Sequence, residues 1–262
     1  MSKKIKTLLI SQPKPETEKS PYFDLAKKYK LKIDFRPFIE VRRLDALDFR
    51  KRNKININDF NAVIFTSRNS VDHFFSLAKE LRATLTDNIK YFCFTEAVAY
   101  YLQKYTVYRK RRIFFGEGSV ESVIPLFDKF KDSKFLLPTS NTINPKIIKA
   151  LDKAGIDYTR ACFYETIASD LSDLKDIKYD VLAFFSPSGI NSLFENFPDF
   201  KQNDTVIATL GTSTAKAAEE RGLKVQIKAP TPETPSMTMA LEKYIVDTNN
   251  AIKRAKKAAS KA

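Results

Sequence analysis

The side chains able to do chemistry in this 262-residue sequence recur in one setting, directly after short apolar runs. Thr66-Ser67, Thr139-Ser140-Asn141-Thr142, Ser186-Pro187-Ser188 and Gly211-Thr212-Ser213-Thr214 each place hydroxyls where a strand-like run turns into an amphipathic segment. A helix start offers unpaired backbone N–H groups and a partial positive charge, a natural seat for a carboxylate or phosphate. Ser and Thr are also ordinary helix N-caps, which accounts for any one such turn. Four of them point to an anion-binding cleft, because ligands of open α/β sheets bind beyond the carboxyl ends of the strands. Other chemistry is scarce. The single histidine, His73, falls on a helical segment and reads as a surface or packing residue rather than a base. One histidine supports no convincing Ser-His-Asp arrangement, and six glycines form neither a Walker loop nor a dinucleotide fingerprint. Hydrolase, kinase and nicotinamide chemistries are thereby disfavoured, but an enzyme is not.

The net charge is +14, and five of those charges lie in the tail 249–262, on Lys253, Arg254, Lys256, Lys257 and Lys261 with no acid among them. The Ala/Lys-rich tail reads as a frayed helical or disordered extension. The remaining positive charge attracts anionic ligands without choosing among them. No apolar run is long enough for a membrane span and the N-terminus has no signal-peptide core, so a cytoplasmic location is expected. Cys93 and Cys162 sit in apolar runs and are expected to be buried free thiols, with no disulfide and no metal site.

Apolar β-branched and aromatic runs alternate with helical patterns along nearly the whole chain, as parallel sheets covered by helices require. Strands are predicted at Thr7–Ile10, Lys32–Phe35, Ala62–Thr66, Tyr91–Phe94, Ile113–Phe115, Lys134–Leu137, Asp157–Phe163, Val181–Phe185, Val206–Thr209 and Val225–Ile227. Helical spacing marks Ser70–Lys79, Pro145–Ala154, Gly189–Phe194, Ser213–Arg221 and Ser236–Tyr244, with Gly155 and Gly222 as helix stops. The strand-turn-helix unit around Ser67 is echoed 119 positions later around Ser186, which suggests two related domains.

The same turns resemble the uroporphyrinogen-III synthase family. The matching pieces come in the family's order: Phe65-Thr66-Ser67 with Asn69-Ser70-Val71, then Leu136-Leu137-Pro138, Leu151 to Ile156, Phe163-Tyr164-Glu165-Thr166, Phe184-Phe185-Ser186-Pro187-Ser188-Gly189, Leu210-Gly211 with Thr214-Ala215, and Ala229-Pro230-Thr231-Pro232. The resemblance implies an α/β protein with two related flavodoxin-like parallel-sheet domains joined by a two-strand hinge. Residues 1–37 with 171–248 would form the first domain, 42–165 an inserted second, 38–41 and 166–170 the hinge, and 249–262 a basic tail. It implies a cofactor-independent cyclising lyase of tetrapyrrole biosynthesis, acting on the polycarboxylate hydroxymethylbilane. Tyr164 would assist departure of water. Ser67, Arg68, Asn69, Ser140, Asn141, Ser186, Ser188, Gly189, Thr212, Ser213 and Thr214 would bind substrate carboxylates. No nucleic-acid or membrane partner is implied, and a monomer is expected.

One turn departs from the family pattern. Phe94 stands where a glycine is expected and Val98 near the position of a threonine, with Glu96 adding a repelling charge. With the basic tail, this motivates an alternative, a non-catalytic relative that binds an anionic ligand or partner in the same cleft. Nucleic-acid binding is suggested by charge alone; the run from Tyr105 to Arg112 comes closest and reads as a solvated strand edge.

Overall fold

The computed structural model describes residues 3–174 and 178–259. Its elements in chain order are β1 (Thr7–Ile10), α1 (Pro21–Tyr29), β2 (Lys32–Phe35), β3 (Ile39–Arg43), α2 (Ala46–Asn53), β4 (Ala62–Phe65), α3 (Arg68–Glu80), β5 (Lys90–Cys93), α4 (Glu96–Tyr101), β6 (Ile113–Phe115) and α5 (Ile124–Phe127). There follow β7 (Phe135–Ser140), α6 (Pro145–Lys153), β8 (Tyr158–Ala168), β9 (Val181–Phe184), α7 (Pro187–Asn196), β10 (Val206–Leu210), α8 (Thr212–Glu220), β11 (Val225–Ala229) and α9 (Met237–Ala259). The chain divides into two compact units, one of residues 1–40 with 167–262 and the other Val41–Thr166.

The first unit holds a five-stranded sheet in the order β11-β10-β9-β1-β2, all of its pairings parallel. Its central strands β9 and β1 are buried on both faces, which is why Val181-Leu182-Ala183-Phe184 reads as an unbroken apolar run. Leu8, Ile10, Val181 and Ala183 pack towards α1 and α9, while Leu9, Leu182 and Phe184 pack towards α7 and α8. The second unit holds the order β3-β8-β7-β4-β5-β6, parallel from β8 to β6. Phe65, Phe74, Tyr91 and Phe163 fill one side of it, and Phe92, Phe127 and Phe135 the other.

The two windings are the same under a circular shift. Started at β9, the first unit runs β9, β10, β11, β1, β2 in the spatial order 3-2-1-4-5, the order that β4 to β8 follow in the second. β4 thus corresponds to β9, and the turns after them are the two that resemble one another in sequence. Each unit reverses winding beside this strand, between β9 and β1 and between β4 and β7. At such a switch point adjacent helices leave to opposite faces of the sheet and open a crevice at the strands' carboxyl ends.

Gly155 and Gly222 stop α6 and α8 at φ +66° and +78°, as their positions predict. Two other helices stop differently: α1 and α2 end on Lys30 and Lys54, left-handed at φ 55° and 49°. The tail is helical through Ala259 as the end of the 23-residue α9, exposed except for the half-buried Ile252 from Ala251 onward. The Tyr105–Arg112 run is a loop before β6, not a strand edge, and its last residue Arg112 is buried against Asp87 and the Ile89 carbonyl. Cys93 is a buried free thiol as expected; Cys162, also free, is only half-buried. Among the described residues no helix is long and apolar enough to cross a membrane, and no group of His, Cys, Asp and Glu is placed to hold a metal ion.

Candidate active site

In the second unit the candidate residues gather at the carboxyl ends of β4 and β7, with Tyr164 of β8 paired to the last residue of β7. Ser67 caps α3 through a reciprocal capping box: its Oγ accepts from Ser70 N–H at 3.2 Å and its own N–H donates to Ser70 Oγ at 3.1 Å. Arg68 and Asn69 follow on the exposed first turn, the Arg68 guanidinium 5.4 Å above the Tyr101 ring. That ring is itself fixed, since its hydroxyl donates to Asp72 at 2.9 Å.

Tyr164 reaches this turn because β8 carries a register shift. Thr139 pairs with Cys162 but Ser140 pairs with Tyr164, so one residue of β8 is skipped. The irregularity lets Phe163 and Tyr164, adjacent in sequence, both join the same buried cluster instead of pointing to opposite faces. Tyr164 is 8% exposed and lies against the His73 ring, centroids 4.6 Å apart and planes 24° from parallel. Burial holds its phenol above the ordinary value, while a side-chain hydrogen bond with Ser67 pulls the other way.

Asn141 does structural work. Its Oδ1 accepts from Thr166 N–H at 2.9 Å, its Nδ2 donates to the Thr166 carbonyl at 3.2 Å, and its backbone N–H donates to the Tyr164 carbonyl at 3.1 Å. Its side chain completes the ladder where the register has slipped. Ser140 is buried and its hydroxyl is turned onto the Thr142 carbonyl. These two candidates shape the rim more than they offer free donors.

In the first unit Ser186, Gly211 and Ser11 lie just after the adjacent strands β9, β10 and β1. Ser186 caps α7, its Oγ accepting from Gly189 N–H at 3.2 Å, with Ser188 half-buried between them. Gly189 is buried and bare: a methyl there would lie 3.7 Å from Ser186 Oγ and 3.8 Å from Ser11 Oγ, ordinary contact distances. Its missing side chain leaves room for a methyl beside both hydroxyls, that of Ser186 on a half-buried residue and that of Ser11 on a buried one. α8 begins on Gly211 at φ 89° with no side-chain cap, so the N–H groups of Thr212, Ser213 and Thr214 open the helix without one. Thr212 and Ser213 are exposed, whereas Thr214 is 1% exposed, so its hydroxyl is inside the fold. Each unit by itself can bind anions through its helix starts, and the second can donate a hydrogen bond from a buried phenol.

A family model described as uroporphyrinogen-III synthase HemD matches residues 22–239. The chain belongs to this family. A curated uroporphyrinogen-III synthase of Chlorobaculum parvum is 27% identical over 256 residues, which is 90% of this chain and 98% of that one. The solved uroporphyrinogen-III synthetase of Helicobacter pylori is 20% identical with a TM-score of 0.59, covering 92% of this chain and 99% of its own. A mutant uroporphyrinogen III synthase of Thermus thermophilus is 16% identical with a TM-score of 0.54 over 92% and 99%. The two structures show the shared two-domain α/β fold of the uroporphyrinogen-III synthases.

Where the sequence departs from the family pattern, the turn after β5 is built as a closed one. Thr95 caps α4, accepting from Val98 N–H at 3.2 Å, and Phe94 and Val98 are each 6% exposed in the cores on opposite sides of the sheet. The equivalent turn of the first unit, at Gly211, has no such cap.

Three residues beside these candidates carry no site signal in the sequence. Ser11 follows β1 at the switch point and carries no motif. His73 was visible as a helical residue, but its contact with Tyr164 depends on the slipped register of β8. Glu165, 8% exposed, is held by Arg42 at 2.7 Å and Arg52 at 2.6 Å, partners over a hundred positions away, and both keep its carboxyl below the usual range.

Proposed function

We propose that the protein cyclises hydroxymethylbilane to uroporphyrinogen III with inversion of the last pyrrole ring and loss of water. Family membership supplies the reaction class, and one observation of this chain supports its chemistry: a buried phenol, Tyr164, lies against the start of α3 with its ring stacked on that of His73. In this reading the pyrrole nitrogen's electrons expel the terminal hydroxyl, breaking the C–O bond and leaving an azafulvene. Tyr164 donates a hydrogen bond to the departing oxygen, which takes up the proton released from the pyrrole nitrogen and leaves as water. A phenol held in its neutral form by burial keeps its proton throughout the ordinary pH range and can serve as such a donor.

Carbon–carbon bond formation then occurs at the substituted position of the last ring, giving a spiro intermediate whose fragmentation and reclosure inverts that ring. The carbon electrophile and nucleophile both belong to the substrate, so the protein's main contribution is to hold the bilane in the geometry that favours this closure. Ser67, Asn69, Ser186, Ser188, Thr212 and Ser213, with the first-turn amides of α8, supply donors suited to carboxylates, and Arg68 supplies a planar pair.

The test is a coupled assay in which hydroxymethylbilane is supplied, products are oxidised, and isomers I and III are separated. Isomer III formed in proportion to protein concentration is expected. Isomer I alone, at the spontaneous rate, overturns the reading and leaves a protein that binds without catalysing, the alternative that the closed turn at Thr95 favours.

A further inference from the structure

The sole histidine of the chain lies face to face with the proposed hydrogen-bond donor of the reaction. His73 is on the second turn of α3, six positions after Ser67, and its ring stacks on that of Tyr164 at 4.6 Å and 24°. The stack covers one face of the phenol, and Ser67 at the start of the same helix favours its ionised form while burial opposes it. The contact from α3 defines the plane of the Tyr164 ring, and with it the line along which its hydroxyl projects.

The surroundings of His73 favour neutral imidazole. The ring is half-buried, and Arg43 faces it from β3, anchored to α3 by Ser76 at 3.3 Å and by Glu80. Asp72, the neighbour of opposite sign, is already engaged by Tyr101 and Lys104, at 2.9 and 3.1 Å, and by Tyr105. A neutral, offset aromatic pair gives the phenol a rigid, water-excluding wall, which an aliphatic side chain reproduces in volume but not in geometry.

We infer that His73 is a positioning residue of the reaction: its imidazole, stacked on Tyr164, fixes where the Tyr164 hydroxyl points and keeps one face of the phenol dry. The inference rests on the reading that Tyr164 assists departure of water. Nothing about His73 acting as an acid or base is needed; the aromatic face does the work.

The test uses His73→Ala, His73→Phe, Tyr164→Phe and the His73→Ala/Tyr164→Phe double variant of the full chain, with kcat and KM measured for isomer III formation. His73→Ala is expected to lower kcat about three- to tenfold, the range of an aromatic pair, with KM nearly unchanged. His73→Phe, which keeps a ring, restores kcat. In the Tyr164→Phe background the alanine substitution costs no further rate, because the contact it removes no longer serves a hydroxyl. Difference absorbance of tyrosinate, taken against Tyr164→Phe, shows Tyr164 ionising at lower pH in His73→Ala than in the native chain.

An equal kcat loss in both backgrounds, or no rescue by phenylalanine, overturns the inference while leaving the role of Tyr164 intact. If Tyr164→Phe alone turns over at the native rate, the reading of Tyr164 fails, and the tyrosinate shift then separately reports whether His73 controls that phenol. Should His73→Ala not fold, His73→Leu replaces it, filling the space without an aromatic face.

Discussion

Glu165 Oε1 lies 2.6 Å from Arg52 Nη1, an ion pair in which the carboxylate is 11% exposed and the arginine 45%. With Arg42 at 2.7 Å on the other oxygen, it ties β3 and α2 to β8 one residue from Tyr164. Because the two cations hold the carboxyl below the ordinary 4.5, the folded state binds this proton less readily than the unfolded chain. The contribution to stability is therefore complete above about pH 4.5 and is lost as pH falls through the lower, folded-state value. Glu165→Gln should cost about 1–3 kcal/mol at pH 7, below the full cost of breaking a buried pair because both arginines can be solvated. Urea denaturation of both proteins from pH 3 to 7 measures this, and the gap between them should narrow only below pH 4.5.

Gly189 separates binding from folding. A methyl at this position meets Phe184, Ser186 and Ser11 at 3.6 to 3.8 Å, contacts that require no movement. Alanine in the first turn of α7 should leave stability unchanged or raise it by up to about 1 kcal/mol, since glycine is the costlier residue in a helix. The same methyl covers the Ser11 and Ser186 hydroxyls. Gly189→Ala is therefore expected to raise KM several-fold with an unchanged or higher melting temperature. A native KM would remove this turn from the substrate site.

The order of elements was legible because buried parallel strands are written as continuous apolar runs, as β1 is; the edge strands β2 and β6 also fall at their predicted bounds, though β2 alternates and buries none of its residues. The repeat between Ser67 and Ser186 was legible too, and its structural basis is the matched position of β4 and β9 beside each switch point. Helices α1 and α2 were not, since their stops are left-handed lysines in place of glycine and α2 buries little beyond Phe49. Among site residues, the hydroxyls at the helix starts could be read from composition and spacing. The contacts of Tyr164 could not, because a single-residue slip in β8 decides which way it points, and alternation along the strand assigns it to the wrong face.

Ser67 has two duties that one substitution separates from those of its neighbours. Its Oγ caps α3, and the hydroxyl also draws the Tyr164 phenol's pKa downward against the effect of burial. Ser67→Ala removes both, so a loss of about 1 kcal/mol in stability is expected from the cap. The Tyr164 phenol, freed from the one contact that lowers its pKa, should ionise at still higher pH. Ser70→Ala is the control: it opens the other half of the capping box without touching the phenol. A tyrosinate titration that moves for Ser67→Ala and not for Ser70→Ala would establish the second duty.

Phe94 stands where the family pattern expects glycine, and the structure explains why restoring that glycine is harmful here. The side chain is 6% exposed among Phe92, Val120, Phe127 and Phe135, and the turn it begins is already closed by Thr95. Phe94→Gly removes a buried ring and adds backbone freedom, a combined cost of about 3–5 kcal/mol. No gain in substrate binding should accompany it, because the helix-start amide of Val98 remains occupied by the Thr95 hydroxyl at 3.2 Å. Thr95→Ala instead uncaps α4 at a cost of about 1 kcal/mol and frees that amide. Comparing KM for the two variants against their melting temperatures decides whether this rim is closed to substrate by its cap or by its core residue. Lower KM in Thr95→Ala alone would identify the cap.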